Sequence, residues 1–251
     1  MTIEAAFHLF VILHIVTGAI GLVAFWVPVL TAKGLAAHRL GGKVFVFSML
    51  ATGTWAIGIS TATIIAPVET HPHLLSHPDF GSAAMIRGIF GWMMLYLAIL
   101  TVNLAWYGWL CIRNKRDHIK NREWKNVALQ FVLLIASANC ALQGLRIGMP
   151  LMIGISMVGF ATVATNGWFI WNARPAPKMW LMEHVKGLVG AGISVYTAFF
   201  AFGAVRLLPE AALTPALWSL PLITGLAIIL YHRRQISRST RKRQTPIAAT
   251  S

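Results

Sequence analysis

Residues 5–30, AAFHLFVILHIVTGAIGLVAFWVPVL, run without a single Asp, Glu, Lys or Arg. As a helix this stretch is about 39 Å long, at ~1.5 Å per residue, and exceeds the roughly 30 Å of a bilayer's hydrocarbon core. It is too long for the apolar part of a signal peptide and no basic residue precedes it, so it is expected to remain as a first membrane helix.

The remaining chain repeats the pattern. Of its 251 residues, 57% are hydrophobic and 11% charged, a balance foreign to ordinary soluble domains. Apolar runs near residues 6–31, 43–66, 82–111, 126–146, 150–172, 185–208 and 214–231 predict an all-α polytopic bundle of seven transmembrane helices. The links at 67–81, 112–125 and 173–184 are too short to be domains. Residues 1–232 therefore read as one transmembrane domain, and 233–251 as a basic, disordered cytoplasmic tail in contact with anionic lipid.

A formal charge of +14 suggests nucleic acid in a soluble protein, but here membrane topology accounts for it. Lys33, Arg39 and Lys43 follow the first run, a group from Arg113 to Lys125 follows the third, and Arg174, Lys178 and Lys186 lie around the fifth link. Six more basic residues fill the tail, leaving Arg87, Arg146 and Arg206 for the opposite face. This bias predicts an outside N-terminus and a cytoplasmic C-terminus, with no nucleic-acid partner. Cys111 and Cys140 are expected to be small core residues.

Polar residues inside hydrocarbon are costly unless paired, so they are the informative ones. Asn139, Gln143 and Arg146 share an arc of about 60° on one helix. They read either as the lining of an outward cavity for a small anionic ligand or as interhelical hydrogen bonding with Arg146 reaching water. His14 shares a face with Thr17, Gly18 and Gly21, where a neighbour or a flat cofactor can approach closely. HRLGGK (38–43) and MEHVKG (182–187) bring His38, Arg39, Glu183, His184 and Lys186 to similar depth. Two imidazoles on separate helices suit haem b or a transition metal, with Arg39 or Lys186 for a propionate or other anion, against ordinary capping as the plainer account. In the link VETHPHLLSHPDF (68–80), Glu69, His71, His73 and His77 form a candidate metal set, or simply a polar loop. A weak echo relates TVN at 101–103 to TVATN at 162–166; chance and interfacial anchoring suffice for it.

The motifs HIVTGAIGLVAFWVPVL with AAHRLGGKVFVFSMLATG, and EHVKGLVGAGISVYTAFFAFGAVRLLP with WSLPLITG, resemble a family of bacterial multi-pass membrane proteins, domain of unknown function 2306. The likeness touches about half the chain. It singles out His14, His38, Arg39, Gly41, His184, Trp218 and Pro221, and implies a multi-helix fold in the bacterial inner membrane without supplying a reaction. The leading functional expectation is a histidine-ligated haem or metal redox protein that exchanges electrons with quinone. A transporter or sensor of a small anion, and an assembly or scaffold subunit, are the alternatives.

Overall fold

The computed structural model describes residues 2–76, 81–200 and 215–244. The long helices are α1 (Ile3–Leu30), α2 (Ala36–Ile65), α3 (Ala83–Asn114), α4 (Trp124–Arg146), α5 (Pro150–Trp171), α6 (Met179–Ala198) and α7 (Pro215–Gln244). No strand occurs among the described residues. Helices α1 to α5 are each long and apolar enough to cross a membrane. Their outward faces carry large bare side chains: Val23 is 74% exposed, Leu30 78% and Ile135 69%. Such surface is tolerable in lipid and ruinous in water, so the architecture is that of a multi-pass membrane protein. Helix α6 carries Glu183, His184 and Lys186 in its first two turns, and α7 ends in a basic run.

Successive helices run antiparallel, and glycines set how closely they pack. Gly58, Gly18, Gly21 and Gly41 place Phe10, Thr52, Met49 and Val27 in matching register along the α1–α2 pair. The closest approach is between α3 and α6. A Cβ on Gly187 would stand 2.7 Å from Gly108 Cα and 2.9 Å from Leu104 O, so the two backbones touch there. Without a hydrophobic drive between helices in lipid, this close van der Waals approach is what holds them. Thr101 and Ser194 share a 2.6 Å hydrogen bond two turns farther along the same seam.

Basic residues in the links also satisfy helix ends, whose last carbonyls have no partner of their own. Lys33 Nζ donates to Pro28 O and Val29 O, both at 2.7 Å, closing α1 just before Gly34, whose φ of +83° makes the turn into α2. His118 Nε2 lies 2.7 Å from Asn172 O and Arg122 Nε donates to Ile170 O at 3.0 Å, closing α5. Arg87 Nε closes α2 on Ile64 O at 3.0 Å, from the first residue of the π-helical stretch Arg87–Met93 within α3. The segment 233–244, read from sequence as the start of a disordered tail, continues α7 as helix; its Arg, Lys, Gln and Ser residues contain no helix breaker.

Replacing Gly187 by Ala is expected to lower stability by about 2 kcal/mol, because the methyl group meets backbone that cannot yield. Gly167→Ala, which meets nothing within 4 Å, is the control and should be neutral. Thermal unfolding of the detergent-solubilised protein, followed by circular dichroism, compares the two.

Candidate functional site

Three of the histidines singled out in the sequence are held in the same way. His14 Nδ1 lies 3.0 Å from Thr52 O on α2, His38 Nδ1 lies 3.1 Å from Pro28 O on α1, and His184 Nδ1 lies 2.9 Å from Gly108 O on α3. A carbonyl oxygen only accepts, so each Nδ1 carries the proton and each Nε2 keeps its lone pair. This is how proteins commonly prepare an imidazole for a metal: the distal nitrogen is oriented by a hydrogen bond from the proximal one.

The three do not form one site. His14 pairs with the middle of α2, where Thr52 also donates to Thr17 at 2.9 Å. Pro28, which holds His38, is fourteen residues farther along α1, about 21 Å at ~1.5 Å per residue. His38 and His184, by contrast, stand within electrostatic reach of each other at the end of the bundle where the basic links lie. Arg39, next to His38 in the chain, is exposed.

Next to His184, Glu183 and Lys186 have partners on other helices that spacing did not reveal. Tyr107 Oη, fully buried on α3, donates to Glu183 Oε2 at 2.7 Å. The same carboxylate oxygen is 2.5 Å from Lys186 Nζ, and the side chains of Glu183 and Lys186 are only 13% and 26% exposed. Lys186 also donates to Thr165 at 3.2 Å and sits over the Tyr107 ring, 5.4 Å from its centroid. Buried Cys111 is a neighbour of both Tyr107 and Glu183. A buried ion pair survives when its remaining valences are satisfied, and here the phenol and threonine hydroxyls do so.

No family model, curated protein or solved structure matches the chain. The other candidate sets lie apart from the cluster around Glu183.

On α4 the buried face carries Asn126, Gln130, Ser137, Cys140 and Gly144. The Asn139, Gln143 and Arg146 stripe lies about 130° around the helix from it, at ~100° per residue. Gln143 donates to Asn139 at 3.4 Å, both half-buried, and Arg146 is exposed. The stripe thus faces away from the bundle core, while small and carboxamide side chains take the inner face because they permit closer packing.

In the 67–81 link, Pro67–Thr70 forms a short helix and Pro72–Leu74 a 3-10 turn. His71 is packed between Phe7 and Phe90, with ring centroids 5.4 and 5.0 Å away, and its Nδ1 meets Thr70 Oγ1 at 3.0 Å. His73 is 6.0 Å away by centroid and exposed, as is Glu69; His77 lies outside the described residues. Among the described residues no three His, Cys, Asp or Glu side chains gather as a metal-binding group.

The larger omission from the sequence reading is a column of carboxamides. Asn166 Nδ2 donates to Asn103 Oδ1 and to Gln130 Oε1, both at 3.3 Å, joining α5, α3 and α4. Gln130 leads to Asn126, and Asn126 Nδ2 donates to Asn121 O at 2.7 Å. Asn114 Nδ2 completes the run on Asn121 Oδ1 at 2.6 Å. The signal was present: Asn126, Gln130, Ser137 and Gly144 recur on one helical face, and Asn103 and Asn166 are the two asparagines of the TVN and TVATN echo.

Burial against the two phenylalanines, with His73 nearby, lowers the His71 pKa from 6.5 to about 4. The folded protein thus keeps this imidazole neutral where the unfolded chain binds a proton. Its contribution is complete above pH 6.5 and is lost as the pH falls from there toward 4. With the ring partly exposed, this is on the order of 1 kcal/mol. Unfolding midpoints at pH 7.5 and 4.5 should fall less on acidification in His71→Phe than in the wild type.

Proposed function

We propose that the chain is a histidine-ligated redox protein of the bacterial inner membrane, holding haem b between His38 and His184 and exchanging electrons with quinone. The observation that carries this reading is the shared anchoring of the two imidazoles. Each spends its Nδ1 proton on a main-chain carbonyl of another helix and keeps its Nε2 lone pair. Haem needs only two axial ligands from the protein, because the porphyrin supplies the rest. A structural zinc ion needs four protein ligands and a catalytic one three, so a set of two histidines favours haem over a bare transition metal.

The surroundings suit the same chemistry. Arg39 and Lys186 are cations of the kind that pair with haem propionates. The hydrogen bond from Tyr107 to Glu183 beside His184 supplies an exchangeable proton near the proposed haem, as quinone chemistry needs. The basic links at this end support its assignment to the cytoplasmic side, with α6 and α7 completing seven crossings and the N-terminus outside. Residues 38, 39 and 184 are also among those singled out by the resemblance to the domain of unknown function 2306 family.

The test is an absorption spectrum, oxidised and dithionite-reduced, with haem extraction and metal analysis, on protein purified from cells supplied with a haem precursor. A Soret band at about one haem per chain is expected, lost in His38→Ala and in His184→Ala and retained in His14→Ala. A colourless wild-type protein without stoichiometric metal would sink the reading.

A further inference from the structure

The junction of α3, α4 and α5 contains more oxygen than its hydrogen bonds use. Asn103 and Asn166 are 0% exposed and Gln130 is 7% exposed. Asn103 Nδ2 is spent on Leu129 O at 3.3 Å, and Gln130 Nε2 on Asn126 Oδ1 at 3.4 Å. Only one amide nitrogen is turned toward the group, that of Asn166, and it serves Asn103 Oδ1 and Gln130 Oε1 together. Asn166 Oδ1 is buried and accepts no hydrogen bond. These bonds are also long, at 3.3 to 3.4 Å, against a usual N–H···O separation of about 2.9 to 3.0 Å.

A carboxamide is nearly symmetric in shape. Half a rotation of the Asn166 side chain exchanges its nitrogen for its oxygen and brings a third oxygen against the other two. Three neutral oxygens converging where the dielectric constant is low repel one another and strongly attract a small cation. We propose that Asn103, Gln130 and Asn166 form a binding site for a monovalent alkali cation, sodium in the first instance, inside the membrane-spanning bundle.

The chemistry selects this class of ligand. An anion needs converging donors, and a single amide group points inward. A divalent cation is usually met by carboxylates, whereas among the described residues the three amides bond only to one another, to Asn126 and to a main-chain carbonyl. The column of carboxamides runs on from the site toward the basic end. Asn166 lies five residues inside the end of α5, about 8 Å at ~1.5 Å per residue. Asn126, Asn121 and Asn114 carry carboxamide groups from there to that surface, and Asn121 Nδ2 is itself buried without a partner.

Binding of radioactive sodium to the purified full-length protein, at constant ionic strength with choline as the replacing cation, tests the site. Saturable binding of about one ion per chain is expected in the wild type, weakened at least about tenfold in Gln130→Leu and in Asn166→Leu. Wild-type protein without saturable sodium binding overturns the proposal. So does a folded leucine variant, monodisperse on gel filtration, that binds as tightly as the wild type. Should both leucine variants fail to fold, Asn166→Asp takes their place: equal in size and now charged, it is expected to tighten sodium binding at least about tenfold, and unchanged affinity overturns the proposal. Haem content plays no part in this measurement, so the two proposals stand or fall apart.

Discussion

A polar group that enters hydrocarbon has no water to turn to, and most such groups among the described residues are answered from within the protein. That demand organises the molecule more than apolar packing does, because lipid competes with side chains for apolar contact on equal terms. The link cations close the helix ends, and Tyr107 with Thr165 satisfies the Glu183–Lys186 pair. The histidines are drawn to main-chain carbonyls of neighbouring helices. Where the answer is incomplete, as at Asn166, the structure points to chemistry rather than to packing.

Glycine makes these answers geometrically available. Contact between the Gly108 and Gly187 backbones brings α3 and α6 close enough for His184 to reach a carbonyl on α3 and for Tyr107 to reach Glu183 on α6. A side chain at either glycine would hold the helices apart and lengthen both bonds. Packing and the proposed site are therefore set by one contact.

The helical membrane architecture was legible in sequence because hydrophobic length is a one-dimensional property. His38 and His184 both stand near the starts of helices, which is why the sequence reads them at similar depth. The orientation of α4 was not legible. Reading Asn139, Gln143 and Arg146 as a lining presumes that the most polar face turns inward, but in this bundle the inner face is the one with Asn126, Gln130, Ser137 and Gly144, chosen by size as much as by polarity. Nor does spacing within a helix show which helices meet, so the Asn103–Asn166 bond and the Tyr107–Glu183 pair appear only in three dimensions. His71 was conspicuous for its neighbours in sequence, whereas its environment is two phenylalanine rings.

The α1–α2 hairpin has a consequence for how the chain is made. Lys33 and His38 both fasten to the last turn of α1, and the contacts from Gly41 to Gly58 close within this first stretch of the chain. These contacts need nothing synthesised after α2, whereas Leu22, Phe25 and Trp26 on α1 wait for Tyr196 and Gly192 of α6. The α3–α6 seam joins residues some eighty positions apart, as in Gly108 with Gly187. Contacts within the hairpin close a short loop and those of the seam a long one, so the hairpin is the less costly of the two to form first.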